Sequence, residues 1–233
     1  MVGTRNPLNL GAAARAMSNF GARHLRVVTP WEPSFREARS AVGAADLLAQ
    51  AEEYPAVAEA IADCSLVVGT TVARNRDLHH PIRRLEEGAR LIRRRLATSR
   101  VALLFGSEKV GLSNADLSHC HWLLRIPTRP DHGSMNLGQA VAVCLYELVR
   151  DGKAITRGQK SASPRAGDLE RITALLFESL RGSGYVKPRT SAATLEKLRR
   201  MVRRMQLGPD DATLWLGMLR QIAWKLGQNE HPQ

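Results

Sequence analysis

The chain has 233 residues, 44% of them hydrophobic, and carries a formal net charge of +12. That length suits one large domain, or one domain with a small companion, and the apolar content is enough for a real core. A sequence pI near 10.6 points to a polyanionic partner, nucleic acid first among them, with a merely basic soluble enzyme as the bland alternative. Three cysteines without a C-x-x-C pair exclude a disulfide framework and fit a reducing cytoplasm. No apolar run reaches membrane-spanning length, and no signal peptide is expected ahead of the first helix.

In chain order, Val2 reads as the tail of an apolar strand. Asn9 to Phe20 reads as a helix with Leu10, Ala13, Ala14, Met17 and Phe20 inward and Gly21 as its stop. Leu25 to Val28 is a buried strand, Trp31 to Ala51 is loop and helix, and Val57, Ala58 and Ile61 mark a short helix. Leu66 to Gly69 is a strand running into Thr70-Thr71-Val72-Ala73-Arg74. Ile82, Leu85, Ala89, Ile92 and Leu96 then line one helix face, whose other face carries Arg83, Arg84, Arg90, Arg93, Arg94 and Arg95. Val101–Phe105 and Trp122–Ile126 have the length and boundaries of buried strands. Strands alternating with helices predict an α/β domain with a mostly parallel sheet.

Those two strands end in polar loops, Gly106 to Leu112 and Pro127 to Gly133. Loops at the carboxyl ends of parallel strands make a ligand crevice. The second loop opens a helix that Ser134 or Asn136 can cap, with Leu137, Val141, Cys144, Leu145 and Leu148 at helical spacing. Val143 adds an apolar side chain at another angle, which leaves that helix a face for a partner. Gly106 to Gly111 half-matches a phosphate-binding loop, but Leu112-Ser113 replaces the required Lys-Ser/Thr, which excludes a nucleoside triphosphatase.

Asp151 to Gly167 is rich in Gly, Lys, Ser, Ala and Pro and reads as a linker between a domain of residues 1–150 and a helical domain of residues 168–233. Leu169, Ile172, Leu176 and Leu180 stripe a first tail helix, broken by Gly182-Ser183-Gly184. Leu195, Leu198, Val202 and Met205 stripe a second, stopped by Gly208-Pro209. Asp210 or Asp211 caps a third, with Trp215, Met218, Leu219, Ile222 and Leu226 inward. Lys197, Arg199, Arg200, Arg203 and Arg204 cover the outer face of the second helix, where they are either solvated or meet phosphates. His119-Cys120-His121 has no second ligand pair at suitable spacing, so no metal is expected.

Three segments carry a resemblance. Asn6 to Met17, then FGSEKVGLSN at 105–114, then LRIPT and GSMNLGQAVAV at 124–143 are similar, in order and separation, to the three motifs of the SpoU-type (TrmH-like) RNA 2′-O-ribose methyltransferases of the SPOUT superfamily. Gly43-Ala44-Ala45-Asp46 resembles the same family. The tail, through Asp168-Leu169-Glu170 and Leu195 to Arg204, resembles the C-terminal extension of its TrmJ-type branch, the tRNA (cytidine/uridine-2′-O)-methyltransferases. The resemblance implies a deep trefoil knot formed by Gly106 to Leu145, S-adenosyl-L-methionine as cofactor, tRNA as substrate with anticodon-loop nucleotide 32 as target, and a cytoplasmic homodimer. Another RNA such as rRNA, or an inactive RNA-binding relative, stays open as an alternative.

By the same resemblance the cofactor slot lies at Thr70, Thr71, Val72, Gly106, Ile126, Gly133, Ser134, Met135 and Asn136, all in the first domain. Arg15, Ser134, Glu108 and Asn9 form the catalytic set. A guanidinium keeps its proton at neutral pH, so Arg15 is a poor general base and better suited to clamp substrate phosphate and developing alkoxide; the hydroxyl proton then goes to the phosphate, to water or to a transiently deprotonated Arg15. Ser134 bonds the target ribose or caps the helix, two roles that are compatible, and Glu108 orients Arg15 or the loop, or binds backbone amides. Arg15, Lys197, Arg200 and Arg204 are the RNA-binding candidates. His132 stands where close relatives often carry an aromatic residue.

Overall fold

A computed structural model describes residues 1–30, 36, 38, 41–72, 79–129, 131, 133–151 and 163–229, the last two by backbone alone. Trp31, Ala73, Arg74, His132 and linker residues 152–162 lie outside the described residues.

Residues 1–150, the expected first domain, contain α1 (Pro7–Asn19), β1 (Arg26–Val28), α2 (Ala45–Ala49), β2 (Glu52–Tyr54), α3 (Val57–Ala60), β3 (Leu66–Thr70), β4 (Ile82–Arg84), α4 (Leu85–Leu96), β5 (Val101–Leu104), α5 (Asn114–Ser118), β6 (Trp122–Arg125) and α6 (Leu137–Val149). Every strand pair is parallel. The main sheet runs β4-β6-β3-β5, and β1 pairs β2 apart from it. Leu66, Val67, Val68 and Gly69 of β3 are all buried, as a central parallel strand covered on both faces requires. Val2 joins the two sheets. It bridges Val28 and donates its N–H to the Phe105 carbonyl at 2.8 Å. The expected first strand is thus reduced to one bridging residue.

Helix α1 starts where the Asn6 side chain accepts the Leu8 N–H at 2.9 Å, with Pro7 in the first turn. Its Gly11, Ala13 and Ala14 are small, and they let it lie close on α6. A Cβ on Gly138 of α6 would stand 2.7 Å from the Ala12 Cβ.

Two expectations need correction here. Ile82 does not sit on a helix face; it pairs with Leu123 as the first residue of the edge strand β4 and is 43% exposed. The helix begins only at Leu85, with Glu86 and Glu87 in its first turn and Arg93, Arg94 and Arg95 in its last, the arrangement its dipole favours. Strand β2 was not expected at all, because Glu52-Glu53-Tyr54 has no apolar run to announce it.

The tail holds α7 (Ala166–Gly182), α8 (Ser191–Arg204) and α9 (Pro209–Asn229), with one 3-10 turn at Pro188–Thr190. Leu169, Ile172, Val202, Ala212 and Leu219 make its core. Met205, Met218 and Ile222, expected inward, are 40%, 43% and 48% exposed. Helix α7 begins inside the expected linker. Its Ala166 and Gly167 N–H groups donate to the Cys64 and Ala62 carbonyls, and Ala166 is buried in the first domain's core.

The basic face of α8 also differs from expectation. Lys197 and Arg204 are exposed, but Arg199 and Arg203 are only 9% and 2% exposed and turn toward the first domain. Arg200 is largely covered and lies 3.6 Å from Glu196.

Candidate functional site

The carboxyl ends of β3, β5 and β6 lie side by side because β3 pairs with both of the others. Their loops enclose a cavity of about 270 Å³. Of the residues expected there, Thr70 ends β3 and Thr71 and Val72 follow it, Gly106 follows β5, and Ile126, Gly133, Ser134 and Met135 follow β6; all line it. Asn136 does not line it. Its Oδ1 instead accepts the Gly138 N–H at 2.9 Å and the Gln139 N–H at 3.4 Å, which makes Asn136, not Ser134, the cap of α6. That frees the exposed Ser134 hydroxyl for a ligand.

Hydrogen bonds fix the rim. Thr70 Oγ1 donates to the Leu104 carbonyl at 2.9 Å, and the Thr71 N–H donates to the Leu124 carbonyl at 3.0 Å. Gly111 closes the Gly106 loop by donating to the Ser107 carbonyl at 2.8 Å, with a φ of +69° that favours glycine. Gly106 is needed for a different reason. A Cβ there would overlap the Gly111 carbonyl carbon and the Leu112 amide nitrogen.

The sequence reading missed Phe105, Lys109, Leu112, Leu117 and Leu137, which also line the cavity. Four of these sit within or beside the two quoted motif segments, so the signal was present; Leu117 had none. The walls thus combine aliphatic side chains with polar strand-end backbone, a lining suited to a nucleoside bearing a thioether or sulfonium side chain.

A chain of side-chain amides ties the three motifs together beside the cavity. Asn136 Nδ2 donates to Asn9 Oδ1 at 2.8 Å, and Asn9 Nδ2 donates to Glu108 Oε1 at 3.0 Å. Glu108 also accepts the Arg5 N–H at 3.4 Å. Glu108 therefore orients Asn9 and the chain before α1; its bonds do not go to Arg15. Arg15 projects from α1 into solvent, on the same helix stripe as Leu8, which is 58% exposed.

The His119-Cys120-His121 run serves structure. His121 Nδ1 accepts the Val67 N–H at 3.1 Å, and the His119 carbonyl accepts from Arg203. Burial pushes the imidazoles down, His119 to about 3 and His121 to about 4. Among the described residues no three His, Cys, Asp or Glu side chains are placed to hold a metal ion, and no helix is long and apolar enough to cross a membrane.

Comparison with known proteins agrees with this geometry. The profile of the SpoU rRNA Methylase family matches residues 1–146. The tRNA (cytidine/uridine-2′-O-)-methyltransferase TrmJ of Sodalis glossinidius (strain morsitans) is 35% identical over 229 residues, spanning 95% of this chain and 89% of the relative. TrmJ of Photorhabdus laumondii subsp. laumondii is 33% identical, spanning 95% of this chain and 94% of the relative. The crystal structure of TrmJ from Z. mobilis ZM4 superposes with a TM-score of 0.83 at 32% identity, covering 95% of this chain and 96% of that one. A family match over more than half the chain and relatives aligned nearly end to end settle the kinship: this chain is a member of the SpoU methylase family.

Proposed function

We propose that the chain is an S-adenosyl-L-methionine-dependent tRNA 2′-O-ribose methyltransferase that modifies cytidine or uridine at anticodon-loop position 32, works as a homodimer in the cytoplasm, and carries the trefoil knot over Gly106 to Leu145. One observation supports the reading most. The second and third motifs line one strand-end cavity and the first is hydrogen-bonded to both beside it, in a protein whose tail also aligns with TrmJ relatives.

When bound, the cofactor supplies a methyl group on a sulfonium, a good leaving group, so the protein's part is positioning. The cavity walls would hold the cofactor, and Gly106 lets its loop close tightly on Gly111 and Leu112. Ser134 hydrogen-bonds the target ribose. Arg15 clamps the adjoining phosphate and stabilises the alkoxide as it forms, the hydroxyl proton passing to that phosphate, to water or to a transiently deprotonated Arg15. The Asn136–Asn9–Glu108 chain keeps α1, and so Arg15, in register with the cavity loops.

The dimer accounts for the position of Arg15. Helices α1 and α6 pack together, and the pair exposes Leu8, Tyr146 and Val149, with Tyr146 edge-on to Phe20. Such a rim of apolar side chains suits a second copy, which would bring Arg15 of one subunit toward the cavity of the other.

Two measurements test the reading. Calorimetry should show binding of S-adenosyl-L-methionine, and nucleotide mapping of treated tRNA should find a new 2′-O-methyl group at position 32. A chain that holds RNA but binds no cofactor would be an inactive RNA-binding relative. A mark on rRNA instead would replace the substrate.

A further inference from the structure

The densest buried charge outside the cavity lies where the tail meets the first domain. Glu170 of α7 takes the fork of Arg199, whose Nε stands 3.0 Å from both carboxylate oxygens and whose Nη2 stands 2.7 Å from Oε1. Arg203 Nη2 adds a contact at 3.5 Å. Burial alone would raise the Glu170 carboxyl, but the Arg199 hydrogen bonds and charge hold it below its ordinary value.

Each arginine also reaches into the first domain. Arg199 Nη1 donates to Ser118 Oγ at 3.0 Å, and Arg203 Nε donates to the His119 carbonyl at 2.7 Å. Ser118 spends its own proton on the Ala115 carbonyl at 2.6 Å, which leaves a lone pair for Arg199.

The place of contact matters. Helix α5 has five residues, too few to hold itself, so its position is set by what packs on it. Its Leu117, and Leu112 just before it, line the cavity. The next two residues, Ser118 and His119, take the tail's arginines. One helical turn therefore touches the candidate cofactor site on one side and the tail on the other.

We propose that Arg199 is a positioning residue for cofactor binding: through Ser118 it fixes α5, and with it the Gly106–Leu117 wall of the cavity. The proposal rests on the functional reading above. It makes the tail part of the cofactor site's support, where charge alone would cast it only as an RNA grip. By linkage, cofactor binding also tightens the tail's docking.

The test uses the full chain. Arg199→Lys keeps a charge beside Glu170, but an ammonium cannot hold the carboxylate and Ser118 together as the planar fork does. Ser118→Ala removes the acceptor from the other side. Calorimetric affinity for S-adenosyl-L-methionine and melting temperature are measured for each, with Leu219→Ala as a variant that loosens only the tail's own core. Arg199→Lys and Ser118→Ala should each raise the cofactor Kd roughly three- to tenfold. The double variant should be no weaker than the poorer single one. Leu219→Ala should lower the melting temperature and leave the Kd alone. The proposal is overturned if Arg199→Lys and Ser118→Ala bind cofactor like the parent, or if Leu219→Ala loses affinity as they do. A parent chain that binds no cofactor overturns the functional reading, and this proposal with it.

Discussion

At the scale of single residues, Arg15 and Gly106 make opposite predictions. Arg15 is outside the cavity lining and exposed on α1, so Arg15→Ala should keep cofactor affinity. It should lose on the order of 10²- to 10³-fold in turnover, the usual cost of deleting one preorganised donor to a developing oxyanion. Parallel calorimetry and single-turnover kinetics check the split, and a matched loss of binding would place Arg15 in the wrong role. Gly106→Ala should abolish cofactor binding and lower the melting temperature, because the added methyl group meets backbone that cannot move aside. Acid provides a third check. His119 and His121 have folded pKa values of about 3 and 4 against 6.5 when free, so the unfolded chain takes up protons that the folded one refuses. Stability should therefore fall as pH drops from about 6.5 towards 4. His121→Asn, which keeps an acceptor for the Val67 N–H, should flatten the melting temperature against pH over that range. The sequence revealed which residues gather around the cavity better than what each one touches. Asn9, Glu108 and Asn136 stood out as motif residues. Their mutual bonds span 99 and 127 positions, which no local pattern encodes, so the partner of Glu108 stays open between Arg15, its own loop and backbone amides until the fold is known.

Among elements, α8 is the instructive case. Its basic residues looked like a single outer face, since helical spacing gives the angle between side chains but not which side is buried. Arg199 and Arg203 fall on one face of the helix and Lys197 and Arg204 on another. Only the position of Glu170, on a different helix, decides that the first pair goes inward. The RNA-binding prediction narrows accordingly. Replacing Lys197, Arg200 and Arg204 with Ala should weaken tRNA binding and flatten its logarithmic salt dependence by about one unit per lost phosphate contact. Lys197 and Arg204 should carry most of that change, because Arg200 is covered and paired with Glu196. An unchanged salt slope would remove this helix from the RNA interface. Strand β4 was misread for a related reason. Ile82 continues the apolar spacing of α4, and its pairing with Leu123 across the sheet overrides the helical pattern.

For the whole molecule, the fold class and the cavity were legible because parallel strands advertise themselves as apolar runs and end in motif loops. The extent of the tail's attachment was not. Its seams are backbone and arginine contacts to Ala62, Cys64, Ser118 and His119, none of which carries a pattern. The dimer is tested at the same scale. Sedimentation at micromolar concentration should give two copies, and Tyr146→Glu should split them and reduce turnover while leaving each subunit's cofactor cavity filled. A fully active monomer would dismiss the dimer. The two kinds of arginine contact also respond differently to brine, which bears on how the enzyme is handled at the bench. A chain of net charge +12 is expected to leave a cell coated with nucleic acid. At about 1 M salt, charges in water are screened beyond roughly 3 Å, whereas pairs removed from solvent are screened far less. A strong salt wash during chromatography should strip any RNA held by exposed residues such as Lys197 and Arg204 and leave Arg199 and Arg203 locked on Glu170, so clean protein can be recovered without detaching its tail.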